Sequence, residues 1–240
     1  MKYAVIVLLA LIGLVLAYIL FLVVSALFVN GKKEYGTNSR FYRYLLESST
    51  ACGMRLLRVK VHVSGAEMIP QGRFLLVSNH RSNYDPIVTW HALRGREVAF
   101  ISKPDNFKVP VFGRFIRRCG FLAIDRSSPR SSVKTLNKAA EMIKNDIVSF
   151  GVYPEGTRSK NCELLPFHNG IFAIAQKAGV PIVVLAVRGT EQIHKRFIRH
   201  RTDVYLDFID IIPVSEHKGK RTNDVGERVR GDLENYFREK

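Results

Sequence analysis

The chain runs to 240 residues with 47% hydrophobic and 24% charged side chains, an ordinary balance for one large globular domain or two small ones. Its formal net charge is +16, and because the first 31 residues contribute only Lys2, the remainder carries +15 and is drawn to polyanions. Three cysteines, Cys52, Cys119 and Cys162, are odd in number and lack paired or ligand spacing, which argues against a disulfide framework and a metal site and agrees with a reducing cytoplasm.

After Lys2 no charged side chain occurs until Lys32, and residues 3–29 are almost continuously Val, Ile, Leu, Ala and Phe. A helix of roughly 20 such residues crosses a bilayer core. The run exceeds the roughly 7–15 apolar residues of a secretory signal and lacks a clear Ala-x-Ala ending. Residues 1–31 therefore read as an uncleaved membrane anchor, spanning the bilayer or lying in one leaflet. Lys32, Lys33, Arg40 and Arg43 follow the run while Lys2 alone precedes it, and the positive-inside bias then puts the body in the cytoplasm. Residues 32–57 are expected to hold a membrane-proximal amphipathic helix, from Phe41 to Leu57.

Residues 58–240 alternate strand and helix patterns. Arg58 to Val63 alternates at period two and predicts a strand with one exposed face, ended by Ser64-Gly65. Phe74 to Val77 predicts a buried strand, Asp85-Pro86 opens a helix to about Leu93, and Val98 to Ile101 is another strand. Gly120 to Ile124 follows as a strand, then a helix from about Ser131 to Asn145. Strands over 147–153 and 180–187 flank a helix over 170–178. A strand over 204–212 precedes a closing amphipathic helix over 223–238. The fold expected is α/β, a single mixed, largely parallel sheet flanked by helices and preceded by an N-terminal membrane helix.

Two polar turns follow apolar strands. The first is Ser78-Asn79-His80-Arg81-Ser82-Asn83-Tyr84-Asp85. An imidazole takes a proton near neutral pH and a nearby carboxylate fixes its tautomer, so His80 reads as a general base and Asp85 as its orienter. Both lie past a strand's carboxyl end, where open α/β sheets bind ligands. Asp85 before Pro86 also reads as a helix N-cap, which alone would account for it. The second turn, Tyr153-Pro154-Glu155-Gly156-Thr157-Arg158-Ser159, is expected at the same sheet edge.

Taken together, these blocks resemble the glycerolipid acyltransferases, the family of 1-acyl-sn-glycerol-3-phosphate (lysophosphatidic acid) acyltransferases. Residues 79–85 look like its His-x4-Asp block, and Gly113 with Gly120 to Arg126 looks like its second. Residues 153–159 are similar to its Phe-Pro-Glu-Gly-Thr-Arg-Ser block, and Val180-Pro181-Ile182 resembles the fourth. The likeness covers roughly residues 55–190. It implies transfer of an acyl group from acyl-CoA or acyl-carrier protein to the sn-2 hydroxyl of lysophosphatidic acid, giving phosphatidic acid, at a membrane and with no metal or other cofactor. Another lysolipid or glycerol 3-phosphate is the alternative acceptor.

Arg158 is suited to grip the acceptor's phosphate through bidentate hydrogen bonds, and Gly156 lets backbone amides approach the anion. The resemblance adds Glu155 and Thr157 to acceptor binding, and Lys103 and Arg126 as further cations for the phosphate. Glu155, which would repel a phosphate, is expected to accept from a glycerol hydroxyl or to orient Arg158; a turn residue satisfying local amides is the alternative. Three departures leave the acceptor's identity open. His168 stands where the family often has lysine, Val184 where a second proline is common, and Tyr153 where phenylalanine is usual. Two other classes compete: a nucleophilic lipid hydrolase, which the lack of a Gly-x-Ser-x-Gly elbow disfavours, and a non-catalytic basic membrane adaptor. Zinc-finger spacing and an aromatic RNA-binding signature are missing, so nucleic acid is not an expected partner.

Overall fold

The computed structural model describes residues 2–125, 127–196 and 199–240. Helix α1 (Lys2–Leu27) is 26 residues long and apolar enough to cross a membrane. Of it only Ser25 and Ala26 are buried, so most of its length stands clear of the body. Helix α2 (Arg40–Leu56) lies beside it, tied by Tyr18 Oη to Ser48 Oγ at 3.0 Å and by the edge-on pair Phe21 and Phe41.

The sequence places α2 near the membrane surface, and its inner face turns out to belong to the globular body. Tyr42, Leu45, Leu46 and Met54 are buried, while Phe41 and Tyr44 remain exposed. Arg43 is buried as well. Its guanidinium donates to Asn38 Oδ1 at 2.7 Å and to the Val98 and Cys119 carbonyls, and it lies over the Trp90 ring. Arg43 therefore drops out of the row of flanking surface cations; these bonds compensate its removal from water.

Beyond α2 come β1 (Val59–Ser64), β2 (Leu75–Ser78), α3 (Asp85–Ala92), β3 (Val98–Ser102), α4 (Phe112–Arg118), β4 (Leu122–Ala123), α5 (Pro129–Lys144) and β5 (Ser149–Val152). The chain continues through α6 (Ala173–Ala178), β6 (Ile182–Arg188), α7 (Ile193–Arg196), β7 (Thr202–Ile212), α8 (Val214–His217) and α9 (Thr222–Arg238). Among the described residues the seven strands form one sheet in the order β1-β7-β6-β2-β5-β3-β4. Every neighbouring pair is parallel except β6 with β7. This is the mixed, largely parallel α/β sheet expected from the sequence.

Central strands β2, β5 and β6 are apolar because both faces are covered, whereas β7, nearer the edge, alternates buried and less buried residues along most of its length. Several boundaries differ from the periodicity. The strand expected over 120–124 shrinks to two residues, because Gly120 at φ +82° follows the unpredicted α4 and the Phe121 amide still bonds back to Ile116. Helix α4 spans only seven residues, too few to show a period. The helix expected from Gly170 opens as a 3-10 turn, Asn169–Phe172, and becomes α-helical at Ala173. The short helices α7 and α8 fall where no helix was expected.

Strand β2 pairs in parallel with both β5 and β6. Their carboxyl ends therefore lie on one edge, and the loops that leave them are neighbours although they are far apart in sequence.

Candidate active site

Past Ser78 the side chain of Asn79 continues the strand's pairing. Its Nδ2 donates to the Val187 carbonyl at 3.0 Å and its Oδ1 accepts from the Val187 amide at 2.8 Å. The next residue, His80, leaves the sheet at this anchored point. Its backbone is clamped on both sides by the second turn: the His80 amide donates to Glu155 Oε1 at 2.6 Å, and the Ser159 amide donates to the His80 carbonyl at 2.8 Å.

His80 Nδ1 lies 2.7 Å from Asp85 Oδ2. Asp85 is fully buried, and its carboxylate also accepts from the Arg81 and Ser82 amides, each at 2.7 Å, and from the Thr190 hydroxyl. Four donors around one carboxylate offset its removal from water. The N-cap expectation fails here. Helix α3 begins at Asp85 itself, after Tyr84, and the carboxylate turns upstream to the His80 loop rather than onto helix amides.

Glu155 makes the local amide contacts of a turn residue. It is 3% exposed, and its second oxygen accepts from the Leu165 amide at 3.0 Å. Burial pushes its pKa up while the two amides and the neighbouring His80 pull it back. With both oxygens engaged by backbone, Glu155 ties the two turns together and does not line the cavity. Gly156, at φ +71°, closes the turn, and its amide bonds to the Tyr153 carbonyl.

A cavity of about 1030 Å³ opens beside His80. Its polar part holds His80, Lys103, Gly156, Thr157, Arg158 and His168. Its other walls are apolar, with Leu46, Ile87, Trp90, Phe100, Phe121 and Leu136 among them. Arg158 and Lys103 are exposed and form no ion pair among the described residues. Arg126, the remaining expected cation, lies outside the described residues. The structure thus brings His80, Asp85, Thr157, Arg158 and Lys103 to one edge.

Two contributors escaped the sequence reading. Thr190 follows β6, and its approach to Asp85 depends on β6 lying next to β2, which no local pattern reveals. Tyr153 was noted only as a substitution, yet its ring stacks on His80 with centroids 4.3 Å apart.

A family model described as Acyltransferase matches residues 60–188. A chloroplastic 1-acyl-sn-glycerol-3-phosphate acyltransferase of Brassica napus is 40% identical over 136 residues, 56% of this chain and 39% of that protein. The 1-acyl-sn-glycerol-3-phosphate acyltransferase of Haemophilus influenzae is 30% identical over 64% of this chain and 63% of its own length. The alpha form from Bos taurus is 30% identical over 77% of this chain and 65% of its own length. In each case the chain spans less than two thirds of the relative. The crystal structure of the 1-acyl-sn-glycerophosphate (LPA) acyltransferase of Thermotoga maritima aligns with a TM-score of 0.65 at 26% identity, covering 90% of this chain and 87% of that one.

Proposed function

The chain belongs to the acyltransferase family, and from that premise we propose that it transfers a fatty acyl group from a thioester donor to the sn-2 hydroxyl of lysophosphatidic acid, giving phosphatidic acid. The observation that carries the reading is the 2.7 Å contact between His80 Nδ1 and the buried Asp85 carboxylate, beside a cavity with a cationic rim and apolar walls. The relatives named for this activity support the choice of acceptor.

Asp85 holds the Nδ1–H tautomer, which leaves the lone pair on Nε2 for the acceptor. His80 Nε2 takes the hydroxyl proton as the oxygen attacks the thioester carbonyl. The tetrahedral intermediate then expels the thiolate, and the imidazolium returns its proton to that sulfur. No acyl-enzyme forms, and His80 ends neutral. Arg158 binds the acceptor's phosphate bidentately, with Lys103, Thr157 and the Gly156 backbone beside it. The apolar walls take the acyl chains. Acyl-CoA and acyl-carrier protein are both suitable donors, since each presents the same thioester.

Helix α1 anchors the enzyme in the bilayer that holds its amphiphilic substrate and product. The body faces the cytoplasm, where Lys32, Lys33 and Arg40 follow the helix.

The deciding assay supplies defined lysolipids with both donors and identifies the acylated product. His80→Ala is expected to lower kcat by about a hundredfold or more, the size of a lost general base, with membrane association unchanged. Undiminished transfer by this variant would refute the base assignment. A non-catalytic adaptor would give no product with any acceptor.

A further inference from the structure

We propose that Tyr153 is a positioning residue for His80, its ring face fixing the plane in which the imidazole presents Nε2 to the cavity. The inference rests on the acyl-transfer reading above. The His80 and Tyr153 rings stack with centroids 4.3 Å apart and planes 20° apart. Tyr153 in turn stacks with Phe100, at 6.0 Å and 8°. Tyr153 is thus the ring common to both stacks, linking His80 to the sheet.

Phe100 owes its place to a glycine. A Cβ at Gly151 would come within 2.4 Å of a Phe100 ring carbon, so any larger residue there drives that ring out of position. Strand β5 therefore supplies both the gap at Gly151 and, just past its end, Tyr153.

One hydrogen bond to Nδ1 leaves an imidazole free to rock about the Nδ1···Oδ2 line. A flat neighbour on the ring face removes that freedom, and small losses of alignment at a proton-transferring atom are expensive in rate. Asp85 holds His80 by its edge and Tyr153 holds it by its face. The phenol hydroxyl plays no part in this. Tyr153 Oη is buried beside the buried Thr89 Oγ1. Burial first, and then the Asp85 charge, push the phenol's pKa well above its usual value, so the ring facing His80 stays neutral.

The test uses the full chain in detergent micelles, with isotope-labelled histidine and steady-state acyl transfer to lysophosphatidic acid. The His80 ring-proton signal is assigned by its loss in His80→Ala. We expect it upfield, in the ring current of residue 153, in the native protein and in Tyr153→Phe. It should move downfield in Tyr153→Leu. In the assay, Tyr153→Phe should keep kcat within about twofold, while Tyr153→Leu loses roughly tenfold in kcat with KM nearly constant, a loss on the scale of one aromatic pair. Tyr153→Met, which refills the space with a flexible chain, takes its place if Tyr153→Leu loses its fold.

Three results would overturn the inference: an upfield His80 signal or native kcat in Tyr153→Leu; a raised KM at native kcat, which would make Tyr153 a substrate contact; or Tyr153→Phe as impaired as Tyr153→Leu, which would assign the role to the hydroxyl. Should the native protein transfer no acyl group, the functional reading fails by itself, and the resonance shift still decides whether Tyr153 braces His80.

Discussion

Helix α1 and strand β2 are both nearly pure hydrocarbon in sequence, yet one is bare along almost all of its length and the other is sealed. Leu14 in α1 is 68% exposed, whereas Leu75, Leu76 and Val77 in β2 are 0% exposed. The difference lies in the backbone. A helix satisfies its own amides and carbonyls, so a long apolar one can leave the protein for lipid. A strand of four residues satisfies none by itself and must lie between partners, here β5 and β6. Hydrophobicity says that a segment avoids water; period and length decide where it goes instead.

One charge placed in each segment tests that contrast most severely. Leu76→Asp buries a carboxylate with no partner in the middle of the sheet, at a cost of several kcal/mol, enough to unfold a domain of ordinary stability. Circular dichroism should show the loss. Leu14→Asp should leave the melting temperature in detergent unchanged and weaken bilayer insertion by about 3 kcal/mol, measured by flotation with vesicles. A body destabilised by Leu14→Asp would mean that α1 packs as the strands do, and the contrast would break.

A smaller effect separates two residues of one turn. Glu155→Gln turns a donor toward an amide that needs an acceptor, at either His80 or Leu165, and should cost about 1–3 kcal/mol in chemical denaturation. Arg158→Gln, exposed on the cavity rim, should change stability by less than about 0.5 kcal/mol and raise KM for lysophosphatidic acid. Equal stability losses would place Arg158 within the fold's own bonding.

The smallest effect lies at His217, which is 0% exposed and donates from Nε2 to the Val180 carbonyl at 3.0 Å. Burial lowers its pKa below the ordinary imidazole value. The folded state thus prefers the neutral ring, and below about pH 6.5 the unfolded chain binds the extra proton. His217's contribution is complete above that pH and is lost as pH falls through and below it. Denaturation at pH 5.5 and 7.5 should show a smaller pH effect in His217→Gln than in the native chain; an unchanged dependence would place the titration elsewhere.

Legibility followed the reach of each signal. The span of α1, the buried strands and the closing helix α9 were readable because their patterns are long or strongly periodic. The seven-residue α4 and the two-residue β4 were not, since neither completes enough of a repeat. At the site, His80 and Asp85 could be paired from their spacing, and Arg158 from its turn. Glu155 stays open between a ligand contact and a turn residue in the sequence, because a carboxylate among polar neighbours looks the same whether it faces a ligand or two backbone amides. Arg43 was misread as a surface cation because helical spacing does not reveal the carbonyls of Val98, at the start of β3, and Cys119, after α4, that its guanidinium reaches.

Chain chemistry alone was enough to establish a long apolar N-terminal helix, an α/β body and two polar turns able to carry acid–base and anion-binding groups, because composition, period and spacing are local properties. The partners of those groups came only with the fold. Thr190 reaches Asp85, Asn79 locks onto Val187 and Tyr153 lies against His80 because β2 sits between β5 and β6. Strand order is set by how apolar faces cover one another across the whole sheet, and no short stretch of sequence contains that information.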